Sequence, residues 1–137
     1  IVSRLVADAG QNRRGSLPRS FTLLPEDAEP KPGEGHGKWS ATRYRVCWQR
    51  KGFTGVELKL VTGRTHQIRI HLAELGTPVC GETVYGRTRH TGRLALHAGQ
   101  LSLTHPISRA PVSFSSPWPE SLQSFWSWQI MSAGESQ

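Results

Sequence analysis

The chain has 137 residues, enough for one domain with a hydrophobic core, and its 36% hydrophobic share argues against disorder. No apolar run approaches the roughly 18 residues that span a bilayer, and no signal-peptide pattern opens the sequence, so a soluble intracellular protein without a membrane partner is expected. The net charge of +7 points to a polyanionic partner, with nucleic acid foremost.

The charge is unevenly spread. Residues 61–110 hold Arg64, Arg69, Arg87, Arg89, Arg93 and Arg109, no lysine, five of the six histidines, and only Glu74 and Glu82 as acids. Arginine concentrated in one window suits bidentate recognition of phosphate. Residues 111–137 carry no basic residue. Cys47 and Cys80 sit in apolar patterns without CxxC spacing, and two buried thiols are expected rather than a disulfide. Position 1 is Ile, and Met131 is the only methionine. That is what a processed product or a fragment would show.

In chain order, a short strand is expected near Ile1–Ala7, followed by a polar turn at Gln11–Gly15. Residues 24–38, rich in Pro, Gly and charge, predict a mobile loop. Thr42–Trp48 alternates Tyr44, Val46 and Trp48 with Arg43, Arg45 and Cys47, a strand period. Lys51–Gly55 supplies a turn and Val56–Val61 alternates again, which makes a hairpin with one face on a core. Gly63 ends the strand and Thr65 is the expected N-cap of a helix over His66–Leu75. Ile68, Leu72 and Leu75 would form its buried stripe, with Gly76 and Pro78 ending it. Short apolar runs follow at Leu94–His97 and Leu101–Thr104, and a strand at Pro111–Phe114. A last helix should open at Pro119, burying Leu122, Phe125, Trp126 and Ile130. The order predicts an α+β fold with a mainly antiparallel mixed sheet and flanking helices. Residues 1–130 would form the domain and 131–137 a fraying tail.

The densest polar cluster, Thr62–Arg69, lies where a strand turns into a helix. Free N–H groups and the helix dipole favour anions there. Arg64 adds a clamp, and Gly63 admits a close approach. A metal site is not expected: His66 and His71, five apart, lie about 140° apart around a helix, and His90, His97 and His105 lack ligand spacing. Trp118, Phe125, Trp126 and Trp128 could stack bases. Their helical spacing, without nearby positive charge, favours core packing or docking onto a missing segment.

Several of these segments carry a family resemblance. Thr62–Leu72 (TGRTHQIRIHL), Leu75–Pro78, Gly81–Gly86 and Arg93–Ala98 (RLALHA), followed by Leu101, His105-Pro106, Phe114 and Pro117, closely resemble the C-terminal part of the RluA-type RNA pseudouridine synthases. The resemblance covers roughly residues 40–118. It implies isomerisation of uridine in RNA, with no metal or organic cofactor. An aspartate attacks or deprotonates the ribose; the uracil detaches, turns and rejoins through C5. The target base must first leave its stack. Arg69 matches the arginine that pairs with this aspartate, which would lower the carboxylate's pKa and orient it. Arg64, Thr65, His66, Gln67, Arg87 and Arg93 are the implied RNA contacts. Leu96 and His97 fall in a later strand near the pocket.

Two departures accompany the resemblance. Glu82 stands where the family usually has Asp, a change expected to matter little. The family's HRLD-x-x-[TS]-[SG] motif, which holds the catalytic aspartate, and its active-site tyrosine have no counterpart here; the RL pairs, Arg4-Leu5 and Arg93-Leu94, are followed by Val6 and Ala95. An upstream segment or a companion chain is therefore expected to complete the catalytic domain, with RNA as substrate. The alternative is a catalytically inactive RNA-binding or ribonucleoprotein component on the same fold.

Overall fold

A computed structural model describes residues 1–86 and 92–125. The chain divides into two units, Ile1–His90 and Thr91–Gln137. The first holds strands β1 (Val2–Val6), β2 (Gly15–Ser16), β3 (Lys38–Arg50) and β4 (Phe53–Leu60) and helix α1 (Gln67–Glu74). Its sheet has the order β2-β1-β3-β4 with every pairing antiparallel. The second holds the hairpin β5 (Gln100–Thr104) and β6 (Pro111–Ser115) and helix α2 (Glu120–Phe125). This is the expected α+β class. Residues 23–37 contain neither strand nor helix.

Strand β3 is shared by two partners. Lys38–Ala41 pair with β1, and Thr42–Arg50 pair with β4. Burial follows that division: Ser40, Ala41 and Thr42 are buried, while Tyr44–Cys47 are exposed. The connection to β4 is Lys51-Gly52, both with positive φ (52° and 78°), flanked by the pair Arg50↔Phe53. That is the two-residue hairpin turn whose twist matches the strands. The expected turn over 51–55 is thus shorter, because Phe53–Gly55 already pair in β4. A register shift between Val46 and Trp48 puts the Trp48 indole where a side chain at residue 55 would go; a Cβ on Gly55 would lie 2.0 Å from it. Cross-strand pairing places Tyr44, Val46, Val56, Leu58 and Leu60 on one face of the ribbon. Tyr44, Val46 and Leu60 remain 40–48% exposed.

Helix α1 departs from the expected stripe. Its buried residues are Gln67, Ile70, His71 and Leu72, whereas Ile68 and Leu75 are only half-buried. The positions 67, 70 and 71 still share a helical face, but two of them are polar, so an apolar count misses the face. The helix ends as expected. Gly76, at φ 87°, follows the last turn, with Gly76 N–H donating to Ala73 O and Thr77 N–H to Leu72 O, both at 3.0 Å. This is the paired bonding of a Schellman end.

In the second unit the structure corrects two expectations. Leu94–His97 forms no strand; the residues precede β5. Trp118 is 57% exposed rather than packed. On the β5–β6 hairpin, Leu101 and Phe114 face each other across the strands and stay exposed. Leu122 is buried as expected, whereas Trp126, Trp128 and Ile130 lie outside the described residues. The cysteines also differ from expectation: both are free thiols, but Cys47 is exposed and Cys80 only half-buried.

His71 joins helix to sheet. Its Nδ1 lies 2.8 Å from Thr42 Oγ1 on β3, and its Nε2 lies 2.9 Å from Ser3 Oγ on β1. Phe21 meets its ring edge-on at 6.3 Å. The imidazole is fully buried, and burial pushes its pKa from 6.5 down to about 4. Between those values the unfolded chain binds a proton that the native state refuses, so stability rises with pH across the window. The contribution of neutral His71 is complete above about pH 6.5 and is lost as pH falls toward 4. Urea unfolding from pH 7 to pH 4.5 should therefore show stability falling by up to about 3 kcal/mol. His71→Gln should flatten that limb. An unchanged slope in the variant would assign the pH dependence to other groups.

Candidate functional site

The turn from β4 into α1 is built around one side chain. Gln67 Nε2 donates to Ala41 O and to Thr42 Oγ1, both at 2.9 Å. Its Oε1 accepts from Thr62 Oγ1 at 2.7 Å and from the Arg64 N–H at 3.0 Å. Thr62 Oγ1 in turn accepts from the Ala41 N–H at 3.0 Å. These bonds fold residues 62–67 against the buried part of β3. Gln67 is 2% exposed, so the expected role of Gln67 as an RNA contact is corrected: its amide is used within the fold. Thr65 is not the cap. His66 holds that position in the left-handed region (φ 57°) with no side-chain capping bond.

With Gln67 turned inward, Arg64, Thr65 and His66 are exposed. Arg64 Nε donates to Trp39 O at 3.2 Å. His66 Nδ1 lies 2.7 Å from the Tyr85 hydroxyl, with the rings edge to face at 5.6 Å. Three of the implied contacts therefore cluster at the surface of this turn.

Arg69 has a carboxylate partner within its own chain. Its Nε and Nη2 donate to Glu82 Oε2 and Oε1, both at 2.8 Å, the planar two-bond geometry that guanidinium favours. The Arg69 guanidinium also sits 5.2 Å from the centre of the Tyr85 ring. The Glu82 side chain is fully buried and that of Arg69 is 20% exposed. Glu82 Oε1 accepts further from the N–H groups of Thr83, Val84 and Tyr85 at 3.0, 2.9 and 3.2 Å. The Arg69 hydrogen bonds hold its carboxyl pKa down at about 2 against the upward pull of burial, helped by the backbone donors. Glu82 keeps the negative charge that the usual Asp would carry, and the fold uses that charge. It fixes a cation, stacks an aromatic ring beneath it and closes the 82–85 loop.

None of the remaining implied residues belongs to the described part of the first unit. Arg87 is outside the described residues. Arg93, Leu96 and His97 belong to the second unit, where Arg93 Nη1 donates to Ser121 Oγ at 3.1 Å and His97 Nε2 lies 3.1 Å from Ser116 O. Among the described residues no cluster of His, Cys, Asp or Glu could hold a metal ion, and no helix is long and apolar enough to cross a membrane. Sequence reasoning named Glu82 and His71 but gave neither an organising role, and it assigned no chemistry to Tyr85. One signal was available: Glu74 and Glu82 are the only acids in an arginine-rich window, and both are anchors. Glu74 receives the Ser16 N–H at 2.8 Å and the Ser16 hydroxyl at 2.5 Å.

Fold and site together define an antiparallel α+β domain that presents an arginine-bearing strand-to-helix turn. Residues 28–74 match the RNA pseudouridylate synthase family. An RNA pseudouridine synthase of Bacillus subtilis, YjbO, is 44% identical over 87 residues, covering 63% of this chain and 31% of that protein. The ribosomal large subunit pseudouridine synthase D of Zymomonas mobilis is 37% identical over 100 residues, 66% of this chain and 32% of its own length. The enzyme of the same name from Xylella fastidiosa is 38% identical over 137 residues, 89% of this chain and 40% of its own length. The chain is homologous to one portion of the RNA pseudouridine synthases and spans 31–40% of the length of these relatives.

Removing the Glu82 carboxylate would leave a largely buried guanidinium and three backbone donors without their acceptor. Glu82→Ala is expected to cost roughly 3 kcal/mol in urea unfolding. The native carboxylate contributes stability above about pH 4.5 that is lost as pH falls through about 2. Glu82→Gln should remove that acid limb. A Glu82→Ala protein as stable as the parent would show that the pair does not hold the loop.

Proposed function

We propose that this chain is the part of an RNA pseudouridine synthase that walls the uridine pocket with cationic groups, while the catalytic aspartate is supplied by other polypeptide. The substrate is RNA, either ribosomal RNA, by analogy with the relatives named for the ribosomal large subunit, or transfer RNA. The observation that carries this reading is the Arg69 arrangement: a guanidinium locked by Glu82 and Tyr85, part exposed, in the first turn of the helix that follows TGRTH. Its Nε–Nη2 edge is taken by Glu82, which leaves Nη1 as the nitrogen to meet a second carboxylate. A rigid cation of this kind would hold an incoming aspartate ionised and oriented without reorganising during the reaction. In the isomerisation the bond from C1′ to N1 breaks, C1′ bonds to C5, the proton on C5 departs, and N1 takes up a proton.

The internal pair also supports a second reading, an RNA-binding component without catalysis, because Arg69 already has a carboxylate. The 137 residues contain no HRLD motif, and both readings expect the isolated chain to be inactive. Tritium release from C5-labelled uridine RNA by the chain alone would overturn that expectation. With the aspartate-bearing segment of a relative supplied in trans or by fusion, the enzyme reading expects tritium release. It further expects Arg69→Ala to abolish most of that release while leaving RNA affinity nearly intact. Affinity falling in step with activity would instead make Arg69 a phosphate contact. RNA binding should weaken linearly on a log–log salt plot, by roughly 0.7 per phosphate contact on a single strand. A flat response would remove the electrostatic basis of the proposal.

A further inference from the structure

A second feature of the first unit is a cavity of about 590 Å³ lined by Arg14, His36, Lys38, Arg64, Asp8 and Ile70. Its size falls within the roughly 300–1,000 Å³ of small-ligand sites. The cations come from three distant stretches of sequence, and each stretch is tied to the core. The Arg14 segment is held where Ser16 bonds to Glu74 on α1. The His36–Lys38 segment is held by Arg4, whose Nη1 donates to Gly35 O at 2.8 Å and Gly37 O at 3.1 Å. Gly37 packs so closely that an added Cβ would lie 3.2 Å from Leu5 O. Arg64 is held through its N–H by Gln67.

Among the described residues these cations form no ion pair, although Glu74 shares the wall of a neighbouring cavity with Arg14. Among the described residues, the ion pairs are Arg43–Glu29, Arg45–Glu57 and Arg69–Glu82, and none involves Arg14, Lys38 or Arg64. Asp8 is the acid in the lining, and its Oδ1 already accepts from the Gly10 N–H at 2.8 Å. Arg14, Lys38 and Arg64 are exposed, so solvent screens their mutual repulsion, and an anion in the cavity would gain from all of them at once. A smaller cavity of about 120 Å³ also has Arg14 and Ile70 in its wall, and there they meet Tyr85, the ring that underlies Arg69. The two cavities therefore adjoin along Arg14 and Ile70.

We propose that the larger cavity is a subsite for a phosphorylated ribonucleoside, with Arg14, Lys38 and Arg64 on its phosphate and Ile70 beneath its apolar part. The phosphate follows from the unpaired cations. The ribonucleoside rests on the RNA-modifying reading above, in which this site would hold a nucleotide neighbouring the one presented to Arg69. Two sources share that chemistry, a free nucleotide and a residue of single-stranded RNA.

The test titrates the 137-residue chain with uridine 5′-monophosphate, inorganic phosphate and a short single-stranded oligouridylate, by calorimetry or by amide chemical shifts. The variants are Arg14→Ala/Lys38→Ala and Gly63→Leu. Gly63 lines the cavity, and a Cβ there meets no atom within 4 Å, so bulk at this position should fill the site without disturbing the fold. Both variants are expected to weaken nucleotide binding by roughly tenfold or more, while Arg45→Ala, outside the lining, binds as the parent does. Oligouridylate binding more tightly than the mononucleotide identifies RNA as the source; the reverse identifies a free nucleotide. The proposal is overturned if the cavity variants bind like the parent, if the parent binds neither nucleotide, if inorganic phosphate binds as well as the nucleotide, or if Arg45→Ala is equally impaired. Failure here leaves tritium release by the completed enzyme unaffected as evidence for the synthase reading. Failure of that reading would instead show as nucleotide binding without isomerisation.

Discussion

The carboxamide of Gln67 is the constraint on which the first unit depends. Its four hydrogen bonds reach Ala41 and Thr42 on β3 and Thr62 and Arg64 in the turn, so one buried side chain sets both where the helix begins and how close it lies to the sheet. The partners also fix which end of the amide is which, because a carbonyl faces the nitrogen and a backbone N–H faces the oxygen. Next to it on the same helical face, His71 repeats the strategy with Ser3 and Thr42. The helix is thus attached to the sheet by a satisfied polar network as much as by apolar contact. Such networks specify one arrangement because any slip leaves buried groups unpaired.

That attachment determines what the exposed side of the turn can present. Arg64, Thr65 and His66 face solvent because Gln67 does not. One turn later, Arg69 is held by Glu82 on one edge and by the Tyr85 ring on one face. The Glu82 carboxylate, with three backbone donors and one guanidinium, is the most heavily engaged acid among the described residues. A cation supported in this way keeps its position when a substrate arrives, which is the property a preorganised site requires.

Much of this was legible in the sequence where the physics is local. The alternation over Thr42–Trp48, the Gly76 stop and the polar start of the helix all appear near the expected positions, because periodicity and turn chemistry act over a few residues. The helix face was not legible. Gln67 and His71 are polar by type and become core residues only when Thr42, Ser3 and Ala41 arrive to bond them. Glu82 was undervalued for the same reason, since its partner lies 13 residues away and the pair exists only after the chain folds back. The cationic cavity draws on residues near 14, 37 and 64, an association that no local pattern encodes. The resemblance at Thr62–Leu72 drew attention to this turn but did not reveal that Gln67 faces inward.

The division of β3 between two partners also orders events in time. Its far half meets β4 through a two-residue turn, so that ribbon can zip from the Lys51-Gly52 end on the microsecond scale typical of hairpins. Its near half must wait for β1, which lies beyond the irregular stretch at 23–37, and bringing those ends together carries the larger closure entropy. Only when that near half is paired are Ser3 and Thr42 side by side to receive the His71 ring. The imidazole therefore acts as a late latch, closing on a sheet whose assembly began at the opposite end of the same strand.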